Sequence, residues 1–586
     1  MESEFNSILL TLFIILGSLS FFQLIYKKKT SVLAFSFSLI CLYPVFRELN
    51  SRPTMHDWSN ILWYISLKSN FSLDFFVDLN PRVSGYFYPL YYYYGGEFFN
   101  LIAGLRELTR ATSLQIYLVF QLIGIGLWGL SGFIIAKIHS LSNKYAFLFS
   151  LLTATCPYML TNLFGRSAFL EYTGTAISFL FLSTILYVLY SESILLGTRK
   201  LKIQLAFFVL FYLLATIHQI TFILTIQYVS AFLLINFVCF NLFSNFATLD
   251  LLRTYVLKFR LFLVPTVTAV MFSVIQVFPS IHYGPRLFSA QGSWSTQGQL
   301  FFSSYDLIFS LERKAAVGSG TPNLYTQIPI LVIALGILVL MMIVLNGNIK
   351  IDNVYVLNLI AHLVLFVILL YVLNSAEIFQ HYFPLRVIEF PYRLINYLTV
   401  SLIIMLALII NIAIISKTGF KPLVYFALFL ITTISLKEGV TQAQSSFSHQ
   451  VTSSEISNIQ NGIQPGLYYH PAMYSIVGNI AEGIPEYKII KKSEKQLILR
   501  IVCKDGRAIL PTMADSWVVD VQSKNRELGF TSNGWRVLEC KDINSEVIMS
   551  AGDTSTLKIL KIIKTVGLIW FILYLFIGKY SMSRKF

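Results

Sequence analysis

The sequence predicts a polytopic α-helical membrane protein of about thirteen spans, carrying a small extracytoplasmic β-rich domain near the C-terminus. Three observations predict it. Of 586 residues, 56% are hydrophobic and only 12% charged, where an ordinary soluble domain has about 25% charged. Mean hydropathy is +0.68, and apolar runs of membrane-crossing length, about 20 residues, recur along the chain. One late segment, 438–557, instead alternates like strands. Disorder is excluded by the 50 Phe and 33 Tyr. A net charge of +15 in a soluble protein would suggest nucleic acid. Here it follows from basic residues collected on one side of a bilayer, and no nucleic-acid partner is expected.

Taken in order, residues 1–46 hold two spans, near 7–26 and 31–46. The first has no small-residue cleavage site before its lysines and reads as a retained helix. Residues 47–112 form a long first loop. Residues 113–437 form a helix bundle, with spans near 113–136, 145–163, 173–191, 203–217, 220–242, 261–280, 327–346, 354–373, 394–416 and 422–437. Residues 558–586 hold the last span, near 559–578, and a basic tail. Alternate connections are rich in Lys and Arg (Lys27 to Lys29, Lys137, Lys144, Arg199, Lys200, Lys258, Arg260, Lys417, Lys421), with Glu192, Asp250 and Asp352 as their only acids. The first loop, on the other side, balances six basic against six acidic residues. That asymmetry puts the basic connections in the cytoplasm, both long soluble pieces outside, the N-terminus outside and the C-terminus inside.

The segment 438–557 opens with a Ser/Gln-rich linker, Gln442 to Gln450. Strand-like runs follow at Gln496–Val502, Ser516–Val521 and Glu546–Met549, with turn signals at Lys504-Asp505-Gly506 and Ser532-Asn533-Gly534. The five cysteines make no metal-ligand spacing. Cys41, Cys156 and Cys239 lie in apolar runs, whereas Cys503 and Cys540 share the polar domain and are able to pair.

Ionisable groups at membrane depth are costly, so their positions carry most of the functional information. The first loop opens with His56-Asp57-Trp58 and continues through Pro81-Arg82 and Gly85-Tyr86-Phe87-Tyr88-Pro89-Leu90 to Glu97. A second corner reads Pro157-Tyr158, Asn162, Arg166, Glu171. His218 ends the sixth span. A third corner holds His381, Glu389 and Phe390-Pro391-Tyr392-Arg393. Each has a plain alternative: Asp57 as a helix cap, Arg166 with Glu171 as a structural ion pair, the tyrosines as an interfacial belt, His218 and His381 as packing groups, Arg393 as a span anchor. Their coincidence at one mouth of the bundle favours function.

The order of these motifs resembles a bacterial family of polytopic membrane proteins labelled 6-pyruvoyl-tetrahydropterin-synthase-related, and is similar to the YfhO-like cell-envelope glycosylation proteins. That group resembles the GT-C superfamily of membrane glycosyltransferases. The resemblance covers about residues 30–560. Two features depart from it: an extra N-terminal helix makes the first loop follow the second span, and Asn162 stands where the resemblance leads one to expect Asp in many relatives. The resemblance implies a GT-C-like fold in the cell membrane, a polyprenyl-phosphate-linked sugar donor, a cell-envelope glycan acceptor and a partner enzyme that makes the donor.

Transfer of that kind needs a base for the acceptor hydroxyl and stabilisation of the leaving phosphate. Asp57 is the first choice for the base, with Glu171 as second choice or as orienter. Arg166 and Arg393 suit the phosphate, because guanidinium binds it bidentately. His56 and His218 suit sugar or phosphate, and Tyr86 and Tyr88 suit stacking on sugar faces. Arg82, Glu97, His381 and Glu389 complete the candidate substrate-binding set. No cofactor is required; a divalent metal at His56, Asp57 and Glu171 is conceivable, although no ligand spacing marks one. The readings in other classes are a lipid or sugar transporter or flippase, a non-catalytic envelope assembly protein, and a different membrane transferase. A transporter would show midplane charges and repeated halves. A soluble pterin enzyme is excluded by the lack of a zinc-histidine triplet.

Overall fold

The computed structural model describes residues 51–53, 61–62, 65, 77–78, 87–88, 96–165, 168–190, 197–243, 248–283, 314–315, 323–324, 328, 331–337, 354–375, 378, 393–416, 421–444, 447–450, 487–493, 496–510, 519–523, 527–530, 536–540, 544–551 and 554–583. The expected spans at 7–26 and 31–46 lie outside them, and of the span expected at 327–346 only residues 328 and 331–337 are described, as helix.

The helices are α1 (Gly96–Thr109), α2 (Ser113–Ile138), α3 (Asn143–Ala154), the short α4 (Pro157–Leu160) running into a π-helical turn (Thr161–Gly165), α5 (Phe169–Tyr190), α6 (Gly197–Ile217), α7 (Gln219–Phe243), α8 (Thr248–Tyr283), α9 (Val354–Asn374), α10 (Leu394–Ser416), α11 (Lys421–Gln444) and α12 (Ser555–Ser583). Among the described residues, eight of them are long and apolar enough to cross a membrane. The number is nine if α3 and Pro157–Phe164, bent by 43°, form one span. The bend falls on the span expected at 145–163, and its cause is local. Pro157 has no N–H to continue the ladder, so a new helix begins there, with proline in its first turn.

Contacts between side chains set the helix directions. Trp128 Nε1 donates to the Tyr172 carbonyl at 3.2 Å and Ser131 Oγ to that of Ala176 at 3.2 Å, so α2 and α5 run parallel. Ser178 meets Thr225 at 2.6 Å and Tyr228 meets Ser401 at 2.8 Å, which aligns α7 and α10 with α5. Asn236 bonds Asn358 at 2.6 Å while Phe232 stacks on His362, so α9 runs against α7. One end of the bundle therefore collects the starts of α2, α5, α7, α10 and α12, and α1 lies at that end. Every residue from Arg393 to Ala413 is buried, which makes α10 the central helix. Leu263 on α8, Val367 on α9, Phe426 on α11 and Ile562 on α12 are exposed instead, as expected of a lipid-facing perimeter.

The expected linker at 442–450 is ordered differently. Helix α11 continues to Gln444, and strand β6 (Phe447–Gln450) pairs antiparallel with β1 (Ser51–Pro53), Ser51 opposite Gln450 and Arg52 opposite His449. Gln and Ala are good helix formers, so a polar composition alone did not end the helix. Gly439 lets α11 approach the α3–α4 break: a Cβ there would collide with the Thr155 carbonyl oxygen. Two-residue strand pairs occur at β2 (Val77–Asp78) with β3 (Phe87–Tyr88), and at β4 (Lys314–Ala315) with β5 (Asn323–Leu324).

The C-terminal domain is antiparallel, as its alternation predicts. Its strands are β7 (Tyr487–Lys492), β8 (Gln496–Val502), β9 (Arg507–Ile509), β10 (Val519–Gln522), β11 (Glu527–Phe530), β12 (Arg536–Glu539) and β13 (Asn544–Ala551), in sheets ordered β10-β13-β8-β7 and β11-β12-β9. Leu497, Leu499 and Ile501 put one face of β8 inside. Asp505 and Gly506 both take positive φ, 50° and 74°, as a two-residue hairpin turn of the Asp-Gly kind requires. The turn at 532–534 lies outside the described residues. Cys503 and Cys540 form a disulfide that closes a loop with sequence separation 37. Such a loop restricts the unfolded chain by about 4 kcal/mol. Replacing both cysteines by serine should lower the domain's unfolding free energy by roughly that amount, read as faster limited proteolysis of the full chain. Unchanged protection would show that the loop closure contributes nothing.

Candidate functional site

Four elements bring polar side chains together at the first-loop end of the bundle. Glu171 lies in the first turn of α5, where a carboxylate also suits the helix dipole. Its Oε2 accepts from Arg393 Nε at 3.0 Å. Its Oε1 accepts from Asn162 Nδ2 and from Asn396 Nδ2, both at 3.2 Å. All four side chains are buried. The π-helical turn places Asn162: its carbonyl accepts from the Ala168 amide at 2.9 Å, folding the corner back onto α5. Such a turn is rare and tends to mark functional positions. Arg393 and Asn396 share one helical face by their spacing of three.

Below this pair, α7 presents His218, Thr221 and Thr225 to α5 and α10. His218 does not end a helix so much as start one. Its carbonyl accepts from the Phe222 amide at 3.0 Å, and its Nδ1 accepts from the Thr221 amide at 3.3 Å and lies 2.7 Å from Thr221 Oγ1. With Nδ1 serving as acceptor, the ring proton of neutral His218 resides on Nε2. A Cβ built on Gly174, one turn past Glu171, would lie 3.4 Å from His218 Cβ, which shows how closely the ring's backbone attachment meets α5. Tyr397 closes the group, donating to the Thr221 carbonyl at 3.0 Å and meeting Thr225 Oγ1 at 2.9 Å.

The first loop is anchored at the same end. β1 is held by β6, and Arg106 Nη1 donates to the Ile65 carbonyl at 2.7 Å. Burial lowers the Arg106 pKa, opposed by Glu107. Phe98 of α1 packs on Phe120 and Phe169, two residues from Glu171. Glu97, also on α1, has its carboxylate bonded by Tyr212 of α6 and Lys564 of α12. Lys564 also lies 5.7 Å from the Phe272 ring centroid.

Of the residues expected at the site, the structure brings Glu171, Arg393 and His218 together and gives Glu97 protein partners. Tyr88 sits in β3, opposite Val77. His56, Asp57, Arg82, Tyr86, Arg166, His381 and Glu389 lie outside the described residues. Among the described residues no group of three His, Cys, Asp or Glu is placed to hold a metal. Asn396, Tyr397, Thr221 and Lys564 were not anticipated. Their signal was polar residues spaced three or four apart inside apolar spans: Arg393, Asn396 and Tyr397 on α10, and His218, Thr221 and Thr225 on α7.

No protein-family model matches the chain, and no curated protein does. Among solved structures it is similar to the single-particle cryo-EM structure of the arabinofuranosyltransferase AftD from mycobacteria, at 11% identity with a TM-score of 0.44. The match covers 77% of this chain and 28% of that one, so this chain spans just over a quarter of its neighbour's length.

Proposed function

We propose that the chain is a membrane glycosyltransferase that moves a sugar from a polyprenyl-phosphate carrier to a cell-envelope glycan at the external face. The observation that carries this reading is the buried Glu171–Arg393 pair, with Asn162 and Asn396, at the end of the bundle where the first loop is anchored. A guanidinium offers five N–H donors in a fixed fork. Glu171 takes the Nε donor and so sets the plane of the fork. An arginine oriented in this way is suited to a phosphate whose negative charge grows as the sugar leaves. Glu171 is then a positioning residue, and Arg393 binds the leaving group.

The base is Asp57. Pro53 and Ile61, each four residues away, belong to the anchored parts of the loop. Asp57 itself lies outside the described residues, and its choice rests on its place between these two anchored parts of the first loop. Glu171 is the weaker candidate for the base, because three donors already occupy its oxygens. His218, with its proton on Nε2, serves as a donor to sugar or phosphate, and Tyr86 and Tyr88 as stacking faces. Two features support an external active face. The basic residues Lys137, Lys144, Arg199 and Lys200 flank the opposite end of the bundle. The disulfide of the β domain suits an oxidising compartment.

The test is the envelope glycan of a strain lacking the chain. One sugar type should be missing, and the lipid-linked donor supplied by a partner enzyme should accumulate. An unchanged glycan overturns the reading. A missing sugar that a chain carrying both Asp57→Asn and Glu171→Gln fully restores would favour a non-catalytic assembly role.

A further inference from the structure

The β domain joins the bundle through a short connection. β13 ends at Ala551 and α12 begins at Ser555, and four residues span at most about 14 Å. Leu557, in the first turn of α12, is already buried, whereas Ile559 and Ile562 are exposed on the lipid-facing perimeter. Strand pairing fixes which part of the sheet lies at this end. Ser550 of β13 is opposite Gln496 of β8, and Leu497 is opposite Lys492 of β7. The turn between β7 and β8 therefore shares the end of the sheet from which α12 departs. Ser493 closes that turn, its amide donating to the Gln496 carbonyl at 2.8 Å. Asn544 begins β13 at the other end of the sheet, opposite Val502, about 20 Å from Ser550.

β7 is also an edge strand, the last in the order β10-β13-β8-β7. Among the described residues of the domain, large apolar side chains are exposed at three positions: Leu528 in the other sheet, and Ile489 and Ile490 side by side on β7 at 42% and 46%. The register shift between Ile489 and Lys491 is a bulge, which re-aims side chains that strict alternation would send to opposite faces. Lys488 and Lys491, on either side of the isoleucines, are exposed, as is Lys558 on the first turns of α12. Residues 486–496 hold four lysines against two glutamates. We propose that the β7 edge and its turn dock on the membrane surface beside α12, with the isoleucines at the boundary of the acyl region and the lysines against anionic phospholipid headgroups. A second copy pairing along this edge is disfavoured, because lysines on an edge strand block such pairing and would face one another across it. A bilayer suits both kinds of side chain at once. Apolar groups enter the headgroup boundary, and each lysine near an anionic surface adds about fivefold in affinity. The lipid surface is also continuous with the exposed Ile559 and Ile562 of α12, the helix that tethers the sheet. No residue of this surface takes part in the transfer reaction proposed above.

The full chain is placed, one copy per disc, in lipid nanodiscs of phosphatidylcholine with or without phosphatidylglycerol, and amide hydrogen exchange is followed by mass spectrometry. Peptides covering 487–496 should exchange at least about fivefold more slowly in the discs that contain phosphatidylglycerol. Peptides covering 544–546, at the far end of the sheet, should exchange alike in both. Replacing Lys488→Gln and Lys491→Gln together should erase the difference between the two membranes, and Ile489→Ser with Ile490→Ser should speed exchange at 487–496 in both. These four side chains are exposed, and unaltered exchange of the β8 and β13 core in each variant shows that the domain still folds. Equal exchange at 487–496 in both membranes and in detergent overturns the docking. A difference that survives the lysine replacements overturns the role of the anionic headgroup. Slowing in detergent that grows with protein concentration assigns the edge to a second copy and overturns the lipid surface.

Discussion

Replacing Asp57 by asparagine should nearly abolish sugar transfer while leaving the protein inserted and folded. Asparagine keeps the shape and one acceptor oxygen but cannot take the acceptor's proton. Removing a general base typically slows a reaction by about 10²–10⁴-fold. The measurement is glycan modification in cells expressing wild-type and variant chains at equal membrane levels. Near-normal modification removes Asp57 from the mechanism. Attention would then move to Glu171, and the three hydrogen bonds on its carboxylate would need to rearrange when substrate binds.

Much of the bundle was legible because membrane solvent imposes a one-dimensional code. A run of apolar residues about 20 long has few other uses, and the helices from Ser113 to Gln444 follow such runs closely. Pro157 and Gly439 show where that code fails. The break at Pro157 divides what hydropathy reads as one continuous span, and Gly439 matters only because another helix passes beside it. The candidate site was legible by residue and not by pairing. Glu171 and Arg393 both stood out as ionisable groups at span ends, yet they lie 222 residues apart, and periodicity gives a residue's face without its neighbour. Asn396 and Tyr397 went unnoticed because single polar residues in an apolar span have many roles. Only their spacing from Arg393 distinguishes them. Lys564 reads in sequence as one of several lysines flanking a span, and only the fold shows that its partner is Glu97, at the far end of the chain.

The second large effect concerns the Glu171–Arg393 pair, where stability and chemistry can be separated. Glu171→Gln removes the counter-charge of a buried guanidinium, and breaking a buried pair from one side costs about 3–5 kcal/mol. Thermal unfolding of the purified chain should therefore shift down sharply for Glu171→Gln, and also for Arg393→Met, which strands the carboxylate. Replacing both, with Glu171→Met and Arg393→Met together, removes both charges and fills similar volume. Such replacements of buried pairs are often neutral or stabilising, so the double variant should recover most of the lost stability. A pair that serves only as a structural clasp would recover transfer along with stability. If Arg393 binds the leaving phosphate, the stable double variant remains inactive, because the guanidinium that meets the developing charge is gone. Activity restored together with stability would reduce the pair to scaffolding. A stable but inactive double variant assigns the pair to the reaction and not to scaffolding alone.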